Sequence, residues 1–460
     1  MAETTDKKIP DKKMSRRSYL KYAGAGAVVL AGAAAAYYLG RPPTPKTVNL
    51  HFFTGESDPP SIEAWQSIYK AYEKIHPEIS VTDEYVAWEE EDPRIVNLVS
   101  AGTPPAIWYT GDAVAAEPTV RGWIDQDAVG EVVSAAGIPE QNRRKYQGKD
   151  FIAPFMYEIV YMWYRKDVFE KYGVQVPTTW KELLGVCETI DTPGMRANAF
   201  VAGAIEASME YSSPFWWGNG VRFMDYINGD WQVTLDEEPY MSRAVETLEF
   251  FNELHKYSGA SSDWSYSELL DAFSTEKVAM TYYIGARVLN VVIERNPAIE
   301  YKIAPFQIPC PREQVTLGGI QGYTLFKQKD PEVTDAAKGL AEYMLAPAGV
   351  MPFLLSVPYH EIPADPKIYE DPTYLANPII AHHADLIPFL KEMTAICRNW
   401  TTVLGPDKPL NPFLYRLCSD GNRLGAMQEQ RVAGQESETI VRNAAQAMRE
   451  QLAELKIEAA

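Results

Sequence analysis

Between Gln147 and Trp180 the chain reads QGKDFIAPFMYEIVYMWYRKDVFEKYGVQVPTTW, and every residue from 151 to 164 except Pro154 and Glu158 is apolar or aromatic. A strand with one wet face alternates apolar and polar residues, so an unbroken run of this kind predicts a strand buried on both faces. Such a strand can pass from one packed body into another. It carries a single carboxylate, Glu158, into that apolar setting. Downstream, Thr179 and Glu182 have the spacing of a capping box, and Trp180, Leu183, Leu184, Cys187 and Ile190 recur at helical intervals, so a helix is expected from Trp180.

A chain of 460 residues exceeds what one core usually supports, so two α/β domains are expected. The first 46 residues hold nine Lys and Arg against three acids, leaving 34 basic and 59 acidic residues in the body. A body this acidic repels phosphate backbones and anionic lipid, which argues against nucleic acid and makes a neutral or cationic small ligand easier to bind than an anionic one.

Along the chain, Val48 to Thr54 reads as a strand, Ser61 to Ile75 as a helix, and Ile79 to Tyr85 as a second strand, together a βαβ unit. A helix from Asp92-Pro93 and a strand from Ala106 to Thr110 follow. In open α/β sheets ligands sit beyond the carboxyl ends of strands. That singles out two loops, Thr54-Gly55-Glu56 and Thr110-Gly111-Asp112, although Glu56 and Asp112 could equally be solvated loop acids or helix caps. Ala199 to Ala204 reads as a strand opening into a loop from Met209 to Arg222. Its neighbouring Trp216 and Trp217 are expected to expose at least one ring as a ligand platform, against the common alternative that tryptophans are core. A helix spans Tyr240 to Tyr257. Tyr283 ends a strand, and Gly285-Ala286-Arg287 begins a helix whose N–H groups, with the Arg287 fork, can donate. Gly318 and Gly319 allow close backbone approach in the strand Val315 to Lys327. Helices are expected over Pro331 to Met344, Ile379 to Cys397, Pro412 to Val432 and Ser437 to Leu455, with Trp400 between two of them as a further cleft candidate.

The order Gly148-Lys149, Pro154, Tyr164-Arg165-Lys166-Asp167 and Pro177-Thr178-Thr179-Trp180-Lys181-Glu182-Leu183 resembles the hinge segment of family 1 extracellular solute-binding proteins, the maltose-binding-like receptors of ABC importers. Ser100 to Ile107 is similar to that family's S-G-T-P-P-D-V segment, with Ala106 where an Asp is usual. Leu269 to Tyr283 is similar to its F-x-x-G-K-A-A-M passage, with Glu276 in place of Gly. The resemblance implies a two-lobe periplasmic-binding-protein-like fold of class II with three hinge crossings, the last over Val350 to Asp365, and a helical C-terminal part. Lobe I would be 47–156 with 321–355, and lobe II 157–320 with 356–460. It also implies a receptor that closes on a small solute, most readily a neutral sugar or oligosaccharide, with Glu158 accepting hydroxyl hydrogen bonds, and that delivers it as a monomer to a membrane permease. Receptors for a polyamine, metal or peptide are the alternatives, as is an exported glycoside-processing enzyme using Glu158 and Asp112 across a cleft.

Met14 to Lys21, MSRRSYLK, with the Ala- and Gly-rich run Ala23 to Leu39, looks like a twin-arginine export signal followed by a Pro-rich spacer to residue 46. It places the body outside the cytoplasmic membrane, the segment being either cut or kept as a tether. No G-x-S-x-G, H-E-x-x-H or phosphate loop is present, so no catalytic residue and no cofactor is expected. The six histidines are scattered, and adjacent His382 and His383 do not share a helical face, so no metal site is expected. Cys187, Cys310, Cys397 and Cys418 form no C-x-x-C pair and are read either as disulfide partners or as buried thiols.

Overall fold

The computed structural model describes residues 48–405 and 408–458, so the export segment and its spacer lie outside the described residues. Strands β1 (Val48–Thr54), β2 (Ile79–Tyr85) and β3 (Ile107–Gly111) run parallel in the order β2-β1-β3. Short β4 (Arg144–Tyr146) turns back on β5 (Lys149–Arg165), the 17-residue strand that holds the apolar run. Beyond it come β6 (Arg196–Asn198), the hairpin β7 (Met224–Ile227) and β8 (Asp230–Val233), then β9 (Val278–Ile284), β10 (Ile303–Phe306), β11 (Thr316–Leu325), β12 (Ile362–Pro363) and β13 (Cys397–Arg398).

The sheet path β2-β1-β3-β11-β5-β9-β6 shows why β5 had to be apolar throughout. Its first half pairs with β11 through residues 153–159, and its second half with β9 through 160–164 and with β10 through 162–165. One strand thus serves two α/β lobes, buried on both faces along nearly its whole length. β11 does the same from the other side: residues 321–325 pair with β3, and 316–317 with β13. The third connection is more compact than the sequence suggests. A helix covers Pro347–Ser356, and only Ile362 and Pro363 cross, pairing with Tyr157 and Met156 of β5.

Local signals mostly hold. Thr179 and Glu182 form the reciprocal capping box of helix Trp180–Ile190. Glu276, standing where a Gly was implied, takes the left-handed φ of 64° that a Gly would; Arg165 and Asn296 hold its carboxylate. Several expectations are corrected. The helix expected at Asp92 begins earlier, spanning Trp88–Ser100 with Pro93 inside it. Residues 199–204 are not a strand; β6 ends at Asn198. The stretch expected as an aromatic loop is a helix, Glu206–Gly218. Pro214 cannot donate to the Glu210 carbonyl, but the Ser213 hydroxyl does so at 2.8 Å, which lets the helix run through the proline. The long C-terminal helix expected over 379–397 is broken into Pro378–His382 and Leu386–Ile396, and 412–432 into Leu414–Ser419 and Arg423–Val432. The four cysteines are free thiols, three of them buried. Among the described residues no single helix is long and apolar enough to cross a membrane.

Candidate functional site

A cleft of about 520 Å³ opens where the long strands cross. Its floor is Glu158 of β5 and Gln321 of β11. One wall comes from the loop after β1 and the helix that starts at Trp88. The opposite wall comes from helix Glu206–Gly218, from Tyr266, and from the end of β9 with Arg287; Tyr415 and Arg416 of a C-terminal helix close one side. Strand ends and helix starts converge here because parallel strands direct their carboxyl ends the same way.

The loop after β1 is held from behind. Glu91, 2% exposed, accepts hydrogen bonds from Gly55 N (2.9 Å), Trp108 Nε1 (2.8 Å) and Thr110 Oγ1 (3.0 Å). Burial nevertheless pushes its carboxyl up to about 8. Gly55 is required by contact, since a Cβ there would lie 2.6 Å from the Trp88 ring. Thr54 is buried and faces inward, its hydroxyl accepting from Glu56 N at 3.0 Å, so it shapes the loop without lining the cleft. Glu56 does line it; burial, and then the nearby Asp58, push its carboxyl up to about 7. Glu158 accepts from Gln321 Nε2 at 2.6 Å, and burial with the neighbouring Glu56 pushes it to about 8.

Eight carboxyl side chains line the cleft, against two arginines. Both arginines already have partners across it: Arg287 pairs with Asp58, and Arg416 with Asp92 at 3.2 Å. Half-buried Trp88, Tyr266 and Tyr415 offer ring faces, and Tyr283 packs with Tyr211 and Tyr266 behind them. Donors, acceptors and flat apolar faces in one concavity suit a polyhydroxylated ligand, whose C–H faces stack while its hydroxyls bond.

Of the residues expected from sequence, Glu56, Gly111, Glu158, Tyr283 and Arg287 come together here. The others do not line the cleft. Asp112 is 1% exposed and opens helix Asp112–Val120 directly after β3, with no loop between; Arg144 Nε (2.8 Å), Ile320 N (3.3 Å) and Asn399 Nδ2 bond to it. The proposed catalytic pairing of Asp112 with Glu158 across a cleft is therefore absent. Gly319 of β11 pairs with Glu158 of β5, and a Cβ there would meet the Asp112 carboxylate at an ordinary contact distance of 3.5 Å. Trp216 is fully buried against Phe223 and Phe251, and Trp217 packs edge-on to Trp400 at 4.9 Å, one layer behind Tyr415. Helical winding put these rings into the core. Sequence reasoning missed Glu91, Tyr266, Tyr415 and Arg416. The run Trp88 to Asp92 was a signal for the first, an aromatic and a set of acids at a helix start, whereas the C-terminal residues reach the cleft only through tertiary contacts.

The sequence pattern of the bacterial extracellular solute-binding protein family matches residues 58–351. The chain belongs to that family. As an ABC-transporter solute-binding protein, it is of a kind that binds small solutes outside the cytoplasm and works with membrane permeases. It is 23% identical over 318 residues to the Escherichia coli (strain K12) protein named "Putative ABC transporter periplasmic-binding protein YcjN", the match covering 67% of this chain and 71% of that one. Among solved structures, T. maritima MalE3 with maltose bound superposes with a TM-score of 0.72 at 16% identity, over 88% of this chain and 100% of that one. The GacH receptor of Streptomyces glaucescens GLA.O, solved unliganded and with acarbose, gives 0.70 at 18% identity, over 88% and 98%. Both share the two-lobe fold.

Proposed function

We propose that this solute-binding protein captures a neutral sugar or short oligosaccharide in the cleft between its lobes and, closed around it as a monomer, presents it to an ABC permease without altering it. The observation that carries this reading is the cleft itself: a concavity of about 520 Å³, inside the usual range for small-molecule sites, with Glu158 and Gln321 at its floor and half-buried aromatic faces on its walls. Proteins of the same fold have been solved with maltose and with acarbose bound. In this scheme lobe I is residues 47–156 with 321–355, lobe II is 157–320 with 356–460, and Glu158 at the crossing accepts hydroxyl hydrogen bonds. Glu56, Gly111, Tyr283 and Arg287 contribute from the two walls. The segment 14–39 exports the body, cleaved or retained as a tether. A micromolar solute supplies about 8 kcal/mol, ample to favour a closed state a few kcal/mol above the open one.

A second reading, a polyamine, is favoured by the excess of eight carboxyls over two paired arginines. A thermal-shift and calorimetric screen of sugars, polyols, polyamines and peptides separates the two. Recovery of the bound sugar intact by chromatography is expected; a melting shift with polyamines alone, or the appearance of cleavage products, would sink the sugar-receptor reading.

A further inference from the structure

Directly behind the cleft floor, the crossing strands bring together groups that the fold leaves short of partners. β12 is antiparallel to β5, with Ile362 opposite Tyr157, so one step further along Glu361 comes opposite Glu158. Residues opposite each other on an antiparallel pair share a face, and like charges placed so repel. On its other side Glu158 faces Gly319, which offers no side chain. His360 joins the same group: one ligand atom each from Glu158, His360 and Glu361 lies within 4.8 Å of the others.

Three side chains of this kind would normally be fully paired, and these are paired only in part. Glu361 is 2% exposed and its Oε2 has no hydrogen-bond partner among the described residues. His360 is 8% exposed; its Nδ1 has no hydrogen-bond partner among the described residues, the ring interacts with the Ile284 backbone, and its Nε2 stands 3.6 Å from Glu361 Oε1, too far for a hydrogen bond. Glu158 receives one side-chain donor, Gln321, at one of its two oxygens. Arg287, the cation on the adjoining wall, is engaged by Asp58. Buried acceptors left short of donors are costly, and an ion that all three could ligate relieves them together.

We infer that Glu158, His360 and Glu361 form a site for one first-row divalent cation, Zn²⁺ or a close relative, at the base of the cleft. Two carboxylates balance the ion's charge, and an imidazole ligand selects a transition metal over Mg²⁺ or Ca²⁺, which prefer oxygen-only shells. Tetrahedral Zn²⁺ holds its ligand atoms about 3.4 Å apart, so the side chains draw in by roughly an ångström when it enters. Three protein ligands leave a fourth position, and Glu158 and His360 both line the cleft, so that position faces the place proposed for the solute. Adjacent hydroxyls of a sugar can complete the shell. That last step rests on the cleft being the solute site; the ion site itself does not.

The test is a titration of the full chain, without a histidine tag and freed of metal by chelator, with ZnCl₂ alone. Calorimetry is expected to show one site per chain, accompanied by a rise in melting temperature. Cobalt(II) in place of zinc is expected to give the visible absorption of a tetrahedral ion with a nitrogen ligand. Glu361→Gln and His360→Gln, checked for folding by circular dichroism, are each expected to weaken binding by at least about 100-fold, the upper end of what outer-shell losses alone cost. No uptake by the folded wild-type chain overturns the inference, as does uptake that both variants retain, or a site that takes spermidine in preference to metal. Because the titration contains no sugar, its failure leaves the solute reading standing, and a failed sugar screen leaves the ion site standing.

Discussion

Asp112 and Glu158 are both carboxylates set against β11, and the fold treats them in opposite ways. Asp112, beside the crossing, is surrounded by the Arg144 guanidinium, the Asn399 amide and the Ile320 N–H. Glu158, at the cleft floor, has Gln321 alone among the described residues. Burial raises both carboxyls above their ordinary range, but Asp112 is held back by a countercharge and three donors, while Glu158 is raised further by another acid. A buried acid with a donor on each oxygen is part of the scaffold. One left short of donors is a place prepared for something else.

That contrast can be broken or sharpened by substitution. The largest effect is expected at Asp112: changing it to Asn strands the Arg144 guanidinium, itself mostly buried, and is expected to cost about 3–5 kcal/mol in chemical denaturation. A cost under about 1 kcal/mol would erase the distinction between the two acids.

Glu91 lies between the extremes, with three donors but no countercharge. Its folded-state value of about 8 lies above the ordinary 4.5, so in that window the folded chain binds more protons than the unfolded one. Stability from this group is therefore greatest at acid pH and is lost as pH rises from about 4.5 through about 8, by up to about 1.4 kcal/mol per unit. Glu91→Gln is expected to flatten the fall in melting temperature between pH 5 and 8; an unchanged slope would mean that the three donors hold it ionised.

At Glu158, substitution by Gln is expected to leave the melting temperature within a few degrees of wild type yet to weaken sugar binding roughly 10- to 100-fold by calorimetry, about 1.4–2.7 kcal/mol. If stability falls as far as it does for Asp112→Asn while affinity holds, Glu158 belongs with the scaffold. The smallest effect is expected at Asp58, half-exposed and paired to Arg287 across the cleft. Asp58→Asn removes at most about 1 kcal/mol and is expected to make the unliganded chain slightly more extended in small-angle scattering.

The parts of the molecule legible in the sequence are those where local rules and tertiary demand agree. The unbroken apolar run of β5 announced a strand buried on both faces, and Thr179 with Glu182 announced a helix start, because each depends on its own neighbours. The strand around Gly318 and Gly319 was legible as a strand for the same reason. Trp216 and Trp217 were misplaced because Pro214 and the Gly-Asn-Gly that follows signal a loop, while the Ser213 hydroxyl that rescues the helix is a detail of geometry. Asp112 was rightly placed at a strand end, but its partners Arg144 and Asn399 lie 32 and 287 residues away, and no spacing rule reaches that far. Tyr415, Arg416 and Glu361 escaped notice for the same reason.

The pairs Arg287–Asp58 and Arg416–Asp92 span the cleft and are partly open to water and dissolved ions. Attraction between such charges is screened over about 8 Å at physiological ionic strength and over less in brine. If the protein is the receptor proposed above, ambient salinity is expected to bear on its empty form. On the proposed receptor reading, these ties are expected to favour the closed arrangement slightly in dilute surroundings and in saline ones to leave closure to the solute.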